Sequence, residues 1–159
     1  MTLCDVTIDS SRLSKNEESV IRVLIADNHP IVLSGLTTVL QNHSEFVVIE
    51  QTSTSDNVLE LTREHQPDVL ILDINMEGLE FPTFFRQIHD DRIPTRSLVL
   101  TENQECDIVV GTIRAGAHGY VLKSDAETMI VSALKAIANG KLWFSPSTKN
   151  LVLDWARDL

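Results

Sequence analysis

The sequence predicts an α/β fold in which one parallel sheet carries helices on both faces. Short aliphatic runs such as Val69-Leu70-Ile71-Leu72 recur along the chain, and continuous apolar runs are typical of strands buried on both faces. Segments with apolar residues at helical spacing alternate with these runs. Several runs end directly in a polar or charged residue, at the position where open α/β sheets carry their chemistry.

The bulk composition favours one globular domain and excludes some partners. The chain has 159 residues, of which 43% are hydrophobic and 23% charged, as in ordinary globular proteins. A net charge of −10 argues against direct binding to nucleic acid or to a membrane, whereas it suits a divalent cation. Cys4 and Cys106 lie far apart and show no metal-ligand spacing. Because only two cysteines make a disulfide framework unlikely, they favour a reducing cytoplasm. No apolar stretch approaches the ~20 residues of a membrane span, and no signal peptide is expected.

Five strands are predicted after a polar segment at 1–20, which we expect to be a disordered tail. Each strand is a short apolar run, and its length and its β-branched residues favour a strand over a helix. In chain order the predicted strands are 21–26, 46–49, 68–72, 97–100 and 120–122.

The segments between these strands are predicted to be helices because their apolar residues recur at helical spacing. Pro30 and Pro82 suit the first turn of a helix, and Ser55 and Asp125 are expected N-caps. In chain order the helices run from Pro30 to about Asn42, from Ser55 to before Pro67, through Phe84–Ile88, over 105–115, and from Asp125 to Gly140.

Alternating strands and helices imply a doubly wound parallel sheet. The natural order for five strands is 2-1-3-4-5, flavodoxin-like, with a binding crevice between strands 1 and 3. Beyond this core, residues 142–159 are expected to be a linker or to form a short sixth helix.

Four polar side chains should meet at one edge of this sheet. Asp27 and Asp73 follow the first and third strands, and Thr101 and Lys123 end the fourth and fifth. Neighbouring carboxylates repel one another unless a cation bridges them, and oxygen ligands favour Mg2+. Asp73 would then be a nucleophile that forms an aspartyl-phosphate, with Lys123 and Thr101 contacting phosphoryl oxygens.

These residues resemble a known family. The sequences Asp27-Asn28-His29-Pro30 and Asp73-Ile74-Asn75-Met76, together with Thr101, Tyr120 and Lys123, look like the receiver domain of two-component response regulators. Segments 115–123 and 138–146 are similar to the branch that usually precedes a LuxR/NarL/FixJ-type helix-turn-helix. The resemblance implies a receiver domain at 21–141, and 142–159 would lead toward a DNA-binding domain that is absent from this chain.

The resemblance implies a role for each matching residue. Asp73 is the expected phosphoacceptor, assisted by Thr101 and Lys123. Thr101 and Tyr120 are expected to form a switch that changes the surface of the fourth helix, fifth strand and fifth helix. The expected Mg2+ ligands are Asp27, Asn28, Asp73 and the backbone carbonyl of Asn75.

The resemblance also implies partners and a cellular role. A histidine kinase or phosphotransfer protein would supply the phosphoryl group, and the chain would form a homodimer in the cytoplasm. Transcription would be regulated through DNA contacts of another domain, and no enzyme activity beyond self-phosphorylation and autodephosphorylation is expected. The sequence leaves open whether the chain is a piece of a longer regulator or a stand-alone receiver.

Several positions depart from the family pattern. Asn28 stands where a second acid is usual; its amide oxygen can bind Mg2+ but adds no charge. Glu77 replaces a common proline, the following loop is altered through Phe81, and Glu102 adds a carboxylate near the site.

Two alternative functions stay open. The chain could be an atypical, non-phosphorylated receiver that serves as a constitutive dimerisation module. It could also be a phosphohydrolase on a related fold, although such enzymes usually carry an acid where Asn75 stands. The histidines show no ligand spacing and are expected to be surface or capping residues; they are His29, His43, His65, His89 and His118.

Overall fold

The computed structural model describes residues 19–102 and 105–158. Most of the predicted N-terminal tail lies outside these residues. The strands are β1 (Ile21–Ala26), β2 (Phe46–Thr52), β3 (Val69–Leu72), β4 (Arg96–Thr101), β5 (Gly119–Leu122) and β6 (Trp143–Phe144). They form one sheet in the order β2-β1-β3-β4-β5-β6, and every pair is parallel.

This topology confirms the predicted flavodoxin-like fold, and its first five strands have the predicted order. The sheet nevertheless has six strands rather than five, because Trp143 and Phe144 pair with Gly119 and Tyr120 of β5. A two-residue strand is too short to show a sequence period. β2 also extends to Thr52 rather than ending at 49, since an edge strand tolerates polar residues.

Six helices connect and flank the strands among the described residues. They are α1 (Pro30–Gln41), α2 (Val58–His65), α3 (Phe81–Asp90), α4 (Cys106–Ala115), α5 (Ala126–Ala138) and α6 (Pro146–Arg157). Proline occupies the first turn of α1 and α3, as expected. None of the described helices is both long and apolar enough to cross a membrane.

A 3-10 turn precedes both α2 and α5, and of the two predicted helix caps Ser55 is wrong, whereas Asp125 is at the predicted position. Ser55 begins the turn Ser55–Asn57, and its hydroxyl donates to the Glu77 carbonyl at 2.6 Å rather than capping α2. Asp125 does occupy the N-cap position of α5, but its side chain makes no capping hydrogen bond with the described residues.

The sheet separates two apolar layers, which explains why its strands lack a hydrophobic/polar alternation. Alternate strand residues such as Leu70 and Leu72 face α2, α3 and α4, whereas Val69 and Ile71 face α1 and α5. Helix residues complete the second layer; among them are Leu36, Leu40, Ile130, Ala133, Leu134 and Ile137.

The segment after β6 is a helix that packs on α4. Leu151 and Val152 contact the first apolar layer, the Cys106 thiol lies 3.7 Å from the Leu151 carbonyl oxygen, and the Arg114 guanidinium lies 5.4 Å from the Trp155 ring centre. The alternative of a sixth helix is therefore the one observed, and this helix covers the outer face of α4.

Candidate functional site

Two buried carboxylates lie side by side at one edge of the sheet. Asp27 follows β1 and Asp73 follows β3, and these strands are neighbours. The Asp73 backbone N–H donates to the Ala26 carbonyl at 2.9 Å, which holds the two loops together. Each carboxylate side chain is only 1% exposed. The crevice predicted between the first and third strands therefore contains both acids.

Lys123 places its ammonium between these acids. Nζ lies 2.9 Å from Asp27 Oδ2 and 3.1 Å from Asp73 Oδ2, and the side chain is 10% exposed. Burial lowers the pKa of Lys123, but pairing with Asp27 and Asp73 outweighs burial and raises the pKa above its ordinary value. The ammonium stays charged and compensates part of the carboxylate charge.

The second oxygen of Asp73 connects to the predicted switch residues. Asp73 Oδ1 accepts the Asn75 backbone N–H at 2.9 Å. The Asn75 side-chain amide in turn donates to the Thr101 hydroxyl at 2.6 Å. Thr101 is fully buried at the end of β4. A chain of hydrogen bonds thus joins Asp73 to Thr101 through a residue predicted to contribute only its backbone carbonyl.

Tyr120 lies inside the protein in this structure. Its side chain is fully buried among the residues of the first apolar layer. Burial, and then the charge of Asp73, raise the pKa of the phenol well above its ordinary value. Tyr120 is therefore neutral at physiological pH, and its ring lies inward from the site.

His29 belongs to the site, although it was expected to be only a surface or capping residue. Its Nδ1 lies 3.0 Å from Asp27 Oδ1, 3.9 Å from Asp73 Oδ2 and 2.9 Å from Lys123 Nζ. The backbone N–H of His29 also donates to Asp27 Oδ1 at 2.8 Å. Its place two residues after Asp27, in the loop before α1, was the available signal. As expected of a capping position, His29 precedes α1, but its side chain makes no capping hydrogen bond with the described residues.

The donor atoms at this edge fit a divalent cation. Ligand atoms of Asp27, His29 and Asp73 all lie within 4.8 Å of one another. Asp27 Oδ2 is buried and accepts no hydrogen bond of regular geometry from the described residues, although the Lys123 ammonium lies 2.9 Å away as an ion-pair partner. A buried carboxylate oxygen without a hydrogen bond has a lone pair available to a metal ion.

Two of the departing positions lie around this centre. Asn28 is exposed and lines a cavity of about 390 Å³ with Ser55, Glu77 and Gly78, among others. Glu102 is exposed and directly follows β4. Neither side chain adds a buried charge to the pair of acids.

His118 is a structural residue away from the site. It is half-buried, and its Nδ1 accepts the Ser97 backbone N–H at 3.1 Å. Burial, and then the nearby Arg96 charge, lower the pKa of His118 below its ordinary value.

Fold and site together define a flavodoxin-like α/β module with an acidic sheet edge, whose donor atoms fit a cation, and a buried lysine. A family model described as the response regulator receiver domain matches residues 23–135. The match covers more than half of the chain, and the chain therefore belongs to the response regulator receiver family.

Relatives in sequence place the chain in the predicted branch. A nitrate/nitrite response regulator homologue from Haemophilus influenzae is 31% identical over 134 residues, which cover 84% of this chain and 64% of the relative. The transcriptional regulatory protein NarL of Mycobacterium tuberculosis is 30% identical over 135 residues, covering 85% and 62%. The chain thus spans about three fifths of the length of the curated relatives it matches.

Solved structures agree with this placement. The signal receiver domain of NarL from Mycobacterium tuberculosis superposes with a TM-score of 0.73 at 30% identity, covering 77% of this chain and 99% of that domain. A LuxR-family response regulator from Aurantimonas gives a TM-score of 0.80 at 27% identity, covering 87% and 99%. RcsB, solved as dimers bound to DNA, superposes with a TM-score of 0.76 at 28% identity, and the match covers 84% of this chain and 68% of the RcsB chain.

Proposed function

We propose that this chain is the phosphoacceptor module of a two-component response regulator and that Asp73 takes the phosphoryl group. The observation that carries the proposal is the buried Asp73 carboxylate, paired at 3.1 Å with Lys123 and adjacent to Asp27 on the neighbouring strand loop. A nucleophilic carboxylate needs a nearby positive charge where the phosphoryl oxygens come to lie. Lys123 provides that charge from the end of β5.

The donor is a phosphohistidine on a histidine kinase or phosphotransfer protein. One Asp73 carboxylate oxygen attacks phosphorus, and a new P–O bond forms as the P–N bond breaks. The electron pair of the broken bond stays on the imidazole nitrogen of the donor. Asp73 becomes an acyl phosphate, and later attack of water on phosphorus releases inorganic phosphate and restores the carboxylate.

The proposed Mg2+ site has four protein ligands: the carboxylates of Asp27 and Asp73, the backbone carbonyl of Asn75 and the amide oxygen of Asn28. When bound there, Mg2+ would supply positive charge beside the transferring phosphoryl group. Asp27 would contribute its buried Oδ2, which accepts no hydrogen bond of regular geometry from the described residues. Lys123, which contacts both acids, would turn toward the phosphoryl oxygens.

Thr101 and Tyr120 are the proposed switch. In the unphosphorylated protein the Thr101 hydroxyl accepts a hydrogen bond from the Asn75 amide. When Asp73 carries a phosphoryl group, the Thr101 hydroxyl would instead donate to a phosphoryl oxygen. Tyr120, already buried next to β4, would hold the inward position, and α4, which follows Thr101, would change its packing.

The output is proposed to be homodimerisation and, in a longer protein, regulated DNA binding by another domain. This proposal is supported by the relatives named as transcriptional regulators and by the RcsB dimers solved on DNA. The net charge of −10 gives this chain itself little electrostatic attraction to DNA.

The test is an intact-mass measurement after incubation with phosphoramidate and Mg2+. Wild type should gain one phosphoryl group, and Asp73→Asn should gain none while retaining its circular dichroism spectrum. An equal adduct on both proteins would contradict the proposal. Asp91→Asn, a surface carboxylate paired with Arg63, is the matched control and should react like wild type.

A second candidate function rests on Asn28. With an amide in place of an acid, the site has one negative charge fewer, and the module could act as a dimer that is never phosphorylated. A basal dimer that is unaffected by phosphoramidate, together with no adduct at high Mg2+ or with a kinase, would favour this second function.

A further inference from the structure

We propose that His29 is a nitrogen ligand of the cation site, and that it makes the site favour a first-row transition ion such as Mn2+ over Mg2+. The inference rests on the cation site of the proposed function and assigns a nitrogen ligand beyond the oxygen ligands named above. It depends on contacts of His29 with three other side chains.

The distances suit three ligands of one ion. Ligand atoms about 2.1 Å from a common octahedral ion lie roughly 3 Å apart when adjacent and about 4 Å apart when opposite. His29 Nδ1 lies 3.0 Å from Asp27 Oδ1 and 3.9 Å from Asp73 Oδ2. Asp27 Oδ2 adds a buried oxygen that no described residue hydrogen-bonds.

A positive group already lies among the same three side chains. The Lys123 ammonium is 2.9 Å from His29 Nδ1, 2.9 Å from Asp27 Oδ2 and 3.1 Å from Asp73 Oδ2. His29 Nδ1 thus lies between an ammonium, which can only donate hydrogen bonds, and the Asp27 Oδ1 atom, which can only accept them, and it faces the same space as the two carboxylates. A neutral imidazole with its proton on Nε2 would bind a metal ion in this space through Nδ1.

The ligand set also changes which ion is preferred. Asn28 removes the negative charge that a second acid would add, and hard ions such as Mg2+ depend on charged oxygen ligands. Imidazole nitrogen suits first-row transition ions, whereas Mg2+ prefers oxygen ligands, and Mn2+ is the ion of that row that also accepts the carboxylate oxygens of a Mg2+ site. A site with two carboxylates and one imidazole should therefore discriminate in favour of Mn2+.

The experiment titrates Mg2+ and Mn2+ into the unphosphorylated chain by calorimetry and records pulsed EPR of bound Mn2+. Wild type should bind Mn2+ about tenfold or more tightly than Mg2+ and show 14N coupling from a coordinated imidazole. His29→Ala should lose the coupling and most of the Mn2+ preference while keeping its Mg2+ affinity. His89→Ala, an exposed histidine on α3, should behave like wild type.

The inference would be overturned if the ratio of Mn2+ affinity to Mg2+ affinity were the same in wild type and His29→Ala. It would also be overturned if the 14N coupling survived in His29→Ala. Because these measurements use protein without a phosphoryl donor, they are separate from the test of Asp73. Phosphorylation in Mg2+ without 14N coupling would reject the ligand and retain the phosphoacceptor. Coupling to 14N without phosphorylation would retain His29 as a ligand and reject Asp73 as the phosphoacceptor.

Discussion

At the scale of single residues, charge balance decides what the site can bind. Asp27 and Asp73 are buried with one ammonium, Lys123, between them, which leaves one net negative charge from these three groups. A divalent cation compensates that charge, and each additional carboxylate increases the attraction. The identity of residue 28 is therefore the simplest way to change metal affinity.

We expect Asn28→Asp to raise Mg2+ affinity several-fold to about tenfold. A unit charge about 4 Å from another is worth about 1 kcal/mol even in water, and Mg2+ carries two charges. Calorimetric titration of wild type, Asn28→Asp and Asn28→Ala would measure the change, with Asn28→Ala no tighter than wild type. Equal affinity in wild type and Asn28→Asp would mean that residue 28 does not reach the ion.

His118 should make stability depend on pH. Folding lowers its pKa, so the unfolded chain binds a proton more readily than the folded one. Its contribution to the free energy of unfolding is fully present above the ordinary pKa of about 6.5. That contribution is lost as the pH falls from there through the folded pKa.

His118→Asn keeps an acceptor for the Ser97 N–H and removes the titration. Urea unfolding of both proteins from about pH 8 to about pH 5 should show their stability difference shrinking as the pH falls, because only wild type loses this contribution. A difference that stays constant over the range would contradict this assignment.

At the scale of elements, close packing between α5, β5 and β6 leaves no room at Gly119. A Cβ there would lie 2.5 Å from Ile137 Cδ1 and 2.8 Å from the Trp143 carbonyl oxygen. The backbone contact in particular cannot relax without moving β6. This lack of space explains why glycine begins β5.

Gly119→Ala should therefore lower the free energy of unfolding by about 1–3 kcal/mol, the usual cost of overpacking. Gly35→Ala is the matched control, because nothing lies within 4 Å of a Cβ at that position in α1. It should stabilise by about 0.5–1 kcal/mol through helix propensity. Urea unfolding monitored by circular dichroism measures both, and a Gly119→Ala variant as stable as wild type would contradict the packing argument.

α6 is predicted to shield α4. Leu151→Asp should loosen α6, because a carboxylate at a half-buried apolar contact is costly, and should speed alkylation of the Cys106 thiol that the helix covers. Leu153→Asp, on the exposed side of α6, should leave the rate unchanged. The comparison uses a Cys4→Ser background and mass spectrometry, and equal rates in the two variants would show that α6 does not protect Cys106.

At the scale of the whole molecule, the sequence determined the architecture because the strands are buried on both faces. Runs such as Val69-Leu70-Ile71-Leu72 have no competing amphipathic pattern, and the acids that follow them are placed by strand order alone. Asp27, Asp73 and Lys123 therefore came together as expected. The short strand β6 was not predictable, since two residues carry no period.

The contacts of loop side chains could not be predicted in the same way. Loop conformations, which no periodicity encodes, determine where the side chains of His29, Asn75 and Ser55 lie. Each of these side chains contacts a group that is distant in sequence. The packing of α6 against α4 likewise depends on tertiary contacts of Leu151 and Trp155. Sequence reasoning thus predicted which polar residues meet at this edge of the sheet, but not the loop side chains that contact their neighbours; their role as a functional site stays a prediction.

The most direct test of phosphoryl transfer to Asp73 is to reduce the phosphorylated protein with borohydride and map the product by peptide mass spectrometry. Borohydride converts an aspartyl-phosphate to homoserine and leaves free carboxylates unchanged. We predict homoserine at position 73 only, dependent on both phosphoramidate and Mg2+. Homoserine at another carboxylate such as Asp27 or Glu102, or at none in protein that carries a phosphoryl adduct, would contradict the assignment.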